Sequence, residues 1–169
     1  MGKINLPPKA KLIVGLLWGK ATSLDRAKGF LTKEFGAIQD QSDPWEFTYT
    51  DYYQKELGGA IQRGFVSFSE FMEPGELARI KCRTNTMEEE LSAQGNRTVN
   101  IDPGYVTLSK LVLATTKEGS YRVYMDRGIY GQSTLYYEKG TYRPWPWTYP
   151  DYQDPRTIAF FNEVRKKLT

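Results

Sequence analysis

The sequence contains no histidine and only one cysteine, Cys82, among its 169 residues. Without histidine there is no Ser-His-Asp or Cys-His triad, no histidine metal ligand and no imidazole acid–base catalyst. A single cysteine allows neither an intrachain disulfide nor a cysteine metal cage, which is typical of a protein in the reducing cytoplasm. Any catalysis would therefore depend on carboxylates, lysine, tyrosine, arginine or a bound ion.

Long apolar runs are also absent. The longest, from Leu12 to Trp18, is far too short to span a bilayer, and the first eight residues lack the apolar core of a signal peptide. The formal net charge is only +3, and the densest basic cluster, residues 165–167, ends a predicted helix, where cations complement the helix dipole. We therefore expect a cytoplasmic protein without a membrane partner, and the charge does not indicate a nucleic-acid surface.

Aromatic residues are abundant instead, at 14% of the chain, with 12 tyrosines and 4 tryptophans. One interpretation is a tyrosine-rich sheet with half-exposed faces, since tyrosine and tryptophan favour strands. The other is a pocket or stacking platform lined by aromatic rings. The overall composition, 25% charged and 40% apolar, is that of a globular protein, and the length predicts a single domain over residues 1–169.

Hydrophobic periodicity and turn residues predict an alternation of strands and helices. The predicted elements are a buried strand (11–17), a helix (24–35), strands (45–50 and 63–71), a helix (74–93), an antiparallel meander (108–142) and a helix after Asp154. Because strands and helices are partly segregated, this order predicts an α+β fold. We expect a mostly antiparallel, mixed sheet with about three helices packed on one face.

The segment Gly15-Leu16-Leu17-Trp18-Gly19-Lys20 follows a strand and precedes a helix, as a P-loop does. A P-loop, however, has four residues between its glycines and a serine or threonine after the lysine. Here three residues separate the glycines and Ala21 follows Lys20. The segment is therefore not interpreted as a phosphate loop.

A five-residue pattern occurs twice, as Thr-Tyr-Thr-Asp-Tyr at 48–52 and Thr-Tyr-Pro-Asp-Tyr at 148–152. Aspartate and threonine at such positions often accept hydrogen bonds from nearby backbone N–H groups, which is one interpretation. The alternative is that Asp51, Tyr52 and Asp151 converge on one pocket.

Asn100 and Asp102 alternate with apolar residues, so a strand would place both on one face. Together they could hold a divalent cation such as Mg²⁺ or a substrate hydroxyl, or they could form an Asx turn. Pro103 and Gly104 follow with the sequence of a type II turn. Lys81, Asn85 and Glu88 share a flank of the second predicted helix, which we interpret as a solvated face.

Thr115 and Lys117 end an apolar strand, and their hydroxyl and ammonium groups suit a phosphate ester. Arg97 could contribute a second positive charge. The alternative interpretation is an ordinary solvated hairpin end beside Glu118 and Gly119.

Several blocks in this order resemble an uncharacterised prokaryotic family, the domain-of-unknown-function 4416 family, over nearly the whole chain. They are residues 50–53 with Glu56 and Gly58, Lys81 with residues 84–85, residues 97–105, 113–117, 128–130, 147–152 and 160–161. The resemblance implies no activity, ligand or catalytic residue.

Three hypotheses for function follow from the residues. In the first, the protein binds, and could turn over, a small phosphorylated or nucleotide-like ligand. Its predicted site comprises Asp51, Tyr52, Arg97, Asn100, Asp102, Thr115, Lys117 and Asp151. In the second it binds RNA or a single strand through exposed aromatic rings, and in the third it is a non-catalytic assembly protein. The sequence does not decide whether the protein is an enzyme, which cofactor it uses or its oligomeric state.

Overall fold

Nine strands form one antiparallel sheet in the computed structural model, which describes residues 1–169. The strands are β1 (Ala10–Trp18), β2 (Ile38–Gln41), β3 (Trp45–Glu46), β4 (Gln62–Met72), β5 (Val99–Val106), β6 (Lys110–Thr115), β7 (Val123–Asp126), β8 (Ile129–Glu138) and β9 (Thr141–Pro144). Their order is β2-β4-β1-β5-β6-β8-β7, with β3 paired to β4 and β9 paired to β8.

The helices include three of three turns or more. These are α1 (Ala21–Phe35), α3 (Leu77–Leu91) and α5 (Pro155–Lys166), and the short helices α2 (Gln54–Leu57) and α4 (Pro150–Gln153) precede α3 and α5. A 3₁₀ turn, Pro74–Glu76, leads into α3, and the Asp154 carboxylate caps α5 by accepting from the Arg156 N–H. The predicted α+β class with about three main helices is confirmed. No helix has the length and apolar character needed to cross a membrane.

Strand β1 lies near the centre of the sheet and is buried along its whole length. Leu12, Val14 and Leu16 pack on one side with residues of α1 and α3, whereas Ile13 packs on the other side with Phe161 of α5. The expected placement of all helices on one face is therefore wrong. A strand that is apolar at successive positions, as β1 is, needs cover on both faces.

The region from β6 to β9 contains the predicted hairpins, but it is not a simple meander. Arg127 and Gly128, and likewise Lys139 and Gly140, have positive φ angles, as two-residue hairpin turns require. Strand β6, however, pairs with β8 rather than with β7. The ten-residue β8 pairs with β6 on one edge and with β7 and then β9 on the other.

Candidate functional site

Strands β5 and β6 diverge part of the way along the sheet. They are paired only from Val106 and Leu111 to Gly104 and Leu113. Beyond that point β5 stays paired with β1 as far as Val99, and β6 stays paired with β8 as far as Thr115. The two halves of the sheet therefore separate, and a cleft opens between them.

The open edge of β5 is completed by side chains of α3. The Ile101 N–H donates to Glu88 Oε1 at 2.5 Å, and the Ile101 carbonyl accepts from Lys81 Nζ at 3.3 Å. These two backbone groups point to the side where a neighbouring strand would bind. Pro103, two residues further along the same edge, has no N–H to leave unpaired. The sequence thus allows β5 to continue without β6.

Two expectations are corrected by this arrangement. Pro103 and Gly104 lie inside the continuous strand β5 and form no type II turn. Lys81 and Glu88 do not face solvent, since they are 7% and 6% exposed, and Asn85 is half-buried. Long polar side chains on α3 are needed at the sheet because β5 has backbone groups there that must be satisfied.

The cleft has a volume of about 780 Å³. Strands β4, β1 and β5 form one wall and β6 with β8 the other. The loop of residues 47–61 and the segment around α4 contribute most of the aromatic lining. The aromatic residues that line the cleft are Phe47, Tyr49, Tyr52, Tyr53, Tyr149 and Tyr152. This size and aromatic character are typical of sites for small molecules.

The innermost part of the cleft contains a buried arginine. Arg63, on β4, is 1% exposed, and its Nη2 lies 2.8 Å from Asp151 Oδ2. Its guanidinium carbon lies 4.5 Å and 5.0 Å from the ring centroids of Phe65 and Tyr152. Gly15 makes room for this group, because a Cβ atom there would lie 2.7 Å from the Tyr152 hydroxyl and about 3 Å from the guanidinium. The first glycine of the P-loop-like segment therefore accommodates side chains rather than a phosphate.

A polar network joins β5 to the neighbouring loop. Arg97 donates two hydrogen bonds of 2.7 Å to the Glu56 carboxylate. It also donates to Glu88 at 3.2 Å and to Asn100 Oδ1 at 2.9 Å, and Asn100 Nδ2 donates to Asp102 Oδ2 at 2.6 Å. The expectation that Asn100 and Asp102 share a face is thus confirmed, and neither forms a turn.

The outer part of the cleft is formed by the end of β6. Lys117 makes no ion pair, and its ammonium group lies 5.4 Å from the ring centroid of Tyr52. Thr115 and Thr116 line the cleft beside it, and the Thr115 hydroxyl accepts from the Lys117 N–H at 3.2 Å. Lys117 is therefore free to approach an anion.

Four buried side-chain atoms of the cleft residues have no hydrogen-bond partner in the protein: Arg63 Nε and Nη1, Gln132 Nε2 and the Tyr152 hydroxyl. Most buried polar groups in proteins are paired, so several unpaired groups around one cleft indicate a place for a ligand or water. Arg63 and Gln132 contribute nitrogen atoms that can only donate.

Burial and neighbouring charges shift several pKa values in the cleft. Burial raises the pKa of the Tyr53 and Tyr152 hydroxyls, so both stay protonated in neutral solution. Burial also raises the pKa of Glu88, although the charge of Lys81 acts against this. Hydrogen bonds from Arg97 lower the pKa of Glu56.

Seven of the eight predicted site residues line this cleft. They are Tyr52, Arg97, Asn100, Asp102, Thr115, Lys117 and Asp151. Asp51 is the exception, because it is exposed on the loop and does not line the cleft. The carboxylates of the two repeated segments therefore do not converge.

Sequence reasoning missed the buried residues Arg63, Gln132 and Tyr152. The sequence carries no clear signal for them, since Arg63 lies in a strand with several other polar residues, and Gln132 is followed directly by Ser133 and Thr134. Which cleft they face depends on the pairing of strands distant in sequence.

A metal site is not evident from the ligands available. No group of three or more carboxylate or thiol side chains comes together in a way that could hold a metal ion. Both oxygens of Asp102 also have protein partners, Asn100 and Lys81.

A family model described as domain of unknown function DUF4416 matches residues 8–168. The chain therefore belongs to this family, as the blocks of its sequence led us to expect. Comparison with curated proteins and with solved structures gave no match.

Proposed function

We propose that the protein binds a small phosphorylated, nucleotide-like ligand in the cleft between β5 and β6. The observation that carries this proposal is the set of unpaired buried donors on Arg63, Gln132 and Tyr152. Leaving such groups without partners is costly, and acceptor-rich ligand atoms would pair with them. The aromatic lining would contact a flat or apolar part of the same ligand.

The distribution of charge in the cleft supports a phosphate at the outer end. Three of its cations are already paired with carboxylates: Arg63 with Asp151, Lys81 with Asp102, and Arg97 with Glu56 and Glu88. Lys117 has no such partner. A phosphate would therefore gain most from Lys117 and from the hydroxyls of Thr115 and Thr116.

Binding to RNA is less well supported by the aromatic residues of the sheet. Tyr142 is buried, and its hydroxyl donates to the Thr107 carbonyl. Trp145 and Trp147 stack on each other with centroids 5.1 Å apart, and Trp147 also stacks on Tyr121. These rings already occupy one another's faces, so RNA is kept as one arm of the test rather than as a second proposal.

Thermal unfolding with a ligand panel tests the proposal. The panel contains inorganic phosphate, ribose 5-phosphate, uridine monophosphate, Mg²⁺ and a short single-stranded RNA. A ligand at 100 times its dissociation constant stabilises the folded state by about 2.7 kcal/mol, which is a rise in Tm of about 5–10 °C for this length. We expect such a rise with a phosphorylated small molecule.

Two lysine variants test whether the rise in Tm depends on the outer end of the cleft. Lys117→Ala should abolish most of the rise in Tm, whereas Lys110→Ala should retain it, since Lys110 is exposed at the other end of β6. A panel without any shift would refute the proposal, and a shift with RNA alone would replace it with nucleic-acid binding.

A further inference from the structure

Gln132 is held in a single amide orientation. The residue is 1% exposed and lies on β8 opposite Leu113, on the face of the sheet that lines the cleft. Its Oε1 accepts from Arg122 Nε at 2.9 Å. Because arginine can only donate, the amide atom that faces it must be the oxygen. The NH₂ group is thus the end without a protein partner.

Arg122 is itself fixed by neutral acceptors on both sides of the outer cleft. Its Nη1 donates to the carbonyls of Lys117 and Glu118 at 3.0 Å and 3.3 Å, and its Nη2 donates to the Tyr149 hydroxyl at 2.8 Å. Turning the Gln132 amide over would place its NH₂ group against this immobilised guanidinium. Arg122 is therefore a positioning residue for the Gln132 donor.

The unpaired donors of the cleft bring no net charge of their own. The charge of Arg63 is neutralised by Asp151, while Nε and Nη1 of Arg63 remain unpaired. Gln132 adds an uncharged donor. An uncharged carbonyl oxygen matches these groups, whereas an amino group would face donors and leave them unpaired.

The wall formed by β6 and β8 runs from the Gln132 amide to the outer end of the cleft, where Lys117 lies. Leu113 lies opposite Gln132, and Thr115 follows two residues later on β6, about 7 Å further along the strand. One nucleoside monophosphate can span the path from Gln132 to the Thr115–Lys117 end.

We propose, building on the proposed function, that the cleft selects nucleoside monophosphates whose base presents a carbonyl oxygen over those that present an amino group there. The base enters towards Gln132, whose NH₂ group donates to that carbonyl, and the phosphate remains beside Lys117. Uridine and cytidine monophosphates form a matched pair of probes, because they differ only along one edge of the base. Uridine has a carbonyl oxygen at position 4 and an N–H group at position 3, whereas cytidine has an amino group at position 4 and an unprotonated nitrogen at position 3.

Calorimetric titration of the full chain with these two nucleotides and with inorganic phosphate tests the selection. We expect uridine monophosphate to bind about 10 to 100 times more tightly than cytidine monophosphate, the range set by leaving a buried donor unpaired. Inorganic phosphate should bind weakly and lose affinity in Lys117→Ala.

Gln132→Glu provides the sharpest variant. Its carboxylate can still accept from Arg122 but presents an acceptor to the cleft, so the preference should reverse towards cytidine monophosphate. Phosphate and both nucleotides should bind somewhat more weakly, because the new carboxylate repels the phosphate, so the ratio of the two nucleotide affinities is the quantity compared. The matched control is Gln39→Glu, on exposed strand β2 outside the cleft, which should keep the original preference.

The outcomes separate the two proposals. If neither nucleotide nor phosphate binds the unaltered protein, the proposed function fails and the selection fails with it. If both nucleotides bind equally well and lose affinity together in Lys117→Ala, the phosphate site stands and only the selection is overturned. Because this comparison uses the unaltered protein, it tests the selection even if Gln132→Glu does not fold.

Discussion

The two segments 48–52 and 148–152 have four of five residues in common but occupy very different environments. In the first, Asp51 is exposed and Tyr52 is 65% exposed. In the second, Asp151 is 7% exposed and paired with Arg63, and Tyr152 is 2% exposed. Similar local sequence therefore does not decide whether these carboxylates and hydroxyls are buried.

The difference arises from what each segment packs against. Thr50 accepts a local hydrogen bond from the Tyr52 N–H, as the capping interpretation predicts. Residues 148–152 instead run into α4 and pack on the sheet, where the Thr148 hydroxyl donates to the Thr134 carbonyl and Tyr152 contacts Phe65 and Phe161. The two segments also touch different parts of the cleft, Tyr52 the outer end and Tyr152 the inner end.

The strongest test of this comparison removes the two aspartates separately. Asp151→Ala leaves the buried guanidinium of Arg63 without its carboxylate, so we expect a loss of about 3–5 kcal/mol in the free energy of unfolding. Asp51→Ala should change it by less than about 0.5 kcal/mol. Urea unfolding of both variants checks the difference, and equal losses would show that the burial of Asp151 is not energetically important.

A second test concerns the space that Tyr152 requires. Gly15→Ala would place a methyl group 2.7 Å from the Tyr152 hydroxyl, so we expect a loss of about 1–3 kcal/mol. Adding Tyr152→Phe should restore part of this loss, since the two sites are in contact. Gly29→Ala is the control, because no atom lies within 4 Å of the new methyl group and α1 should gain stability. If the double variant is no more stable than Gly15→Ala, the hydroxyl contact is not the cause.

The third and smallest effect is a dependence of stability on pH at the contact between the first segment and the N-terminal cap of α5. Tyr49 donates to Asp154 Oδ2 at 2.6 Å, and hydrogen bonds from Arg156 hold the pKa of Asp154 below its usual 3.8. A carboxyl whose pKa is lower in the folded state stabilises it above pH 4, and this contribution is lost as the pH falls towards the folded-state pKa.

Asp154→Asn should keep the helix cap but lose about 0.5–1 kcal/mol at pH 7. Its deficit relative to the unaltered protein should shrink as the pH falls from 4 to 2. Urea unfolding at pH 7, 4 and 2.5 measures this, with Asp43→Asn as an exposed control without an ion pair. A deficit that is constant with pH would mean that the charge of Asp154 plays no part.

Much of the fold could be predicted because its signals are local. The apolar run of β1, the alternation in the hairpins and the Asp154-Pro155 start of α5 each depend on neighbouring residues. The pairing of β6 with β8 and the packing of α5 on the opposite face were not predicted. Both depend on which buried surfaces pack together. The alternation of residues within a strand does not show which other strand will pair with it.

The sequence by itself determined the class of the fold, the absence of histidine chemistry and seven of the residues that line the cleft. Polar residues at strand ends are visible because they interrupt apolar runs. Only the tertiary structure decided that β5 and β6 diverge, that Lys81 and Glu88 complete the edge of β5, and that Arg63, Gln132 and Tyr152 face the same space. The physical reason is that these contacts join strands and helices distant in sequence, and burial there depends on the geometry of the whole sheet.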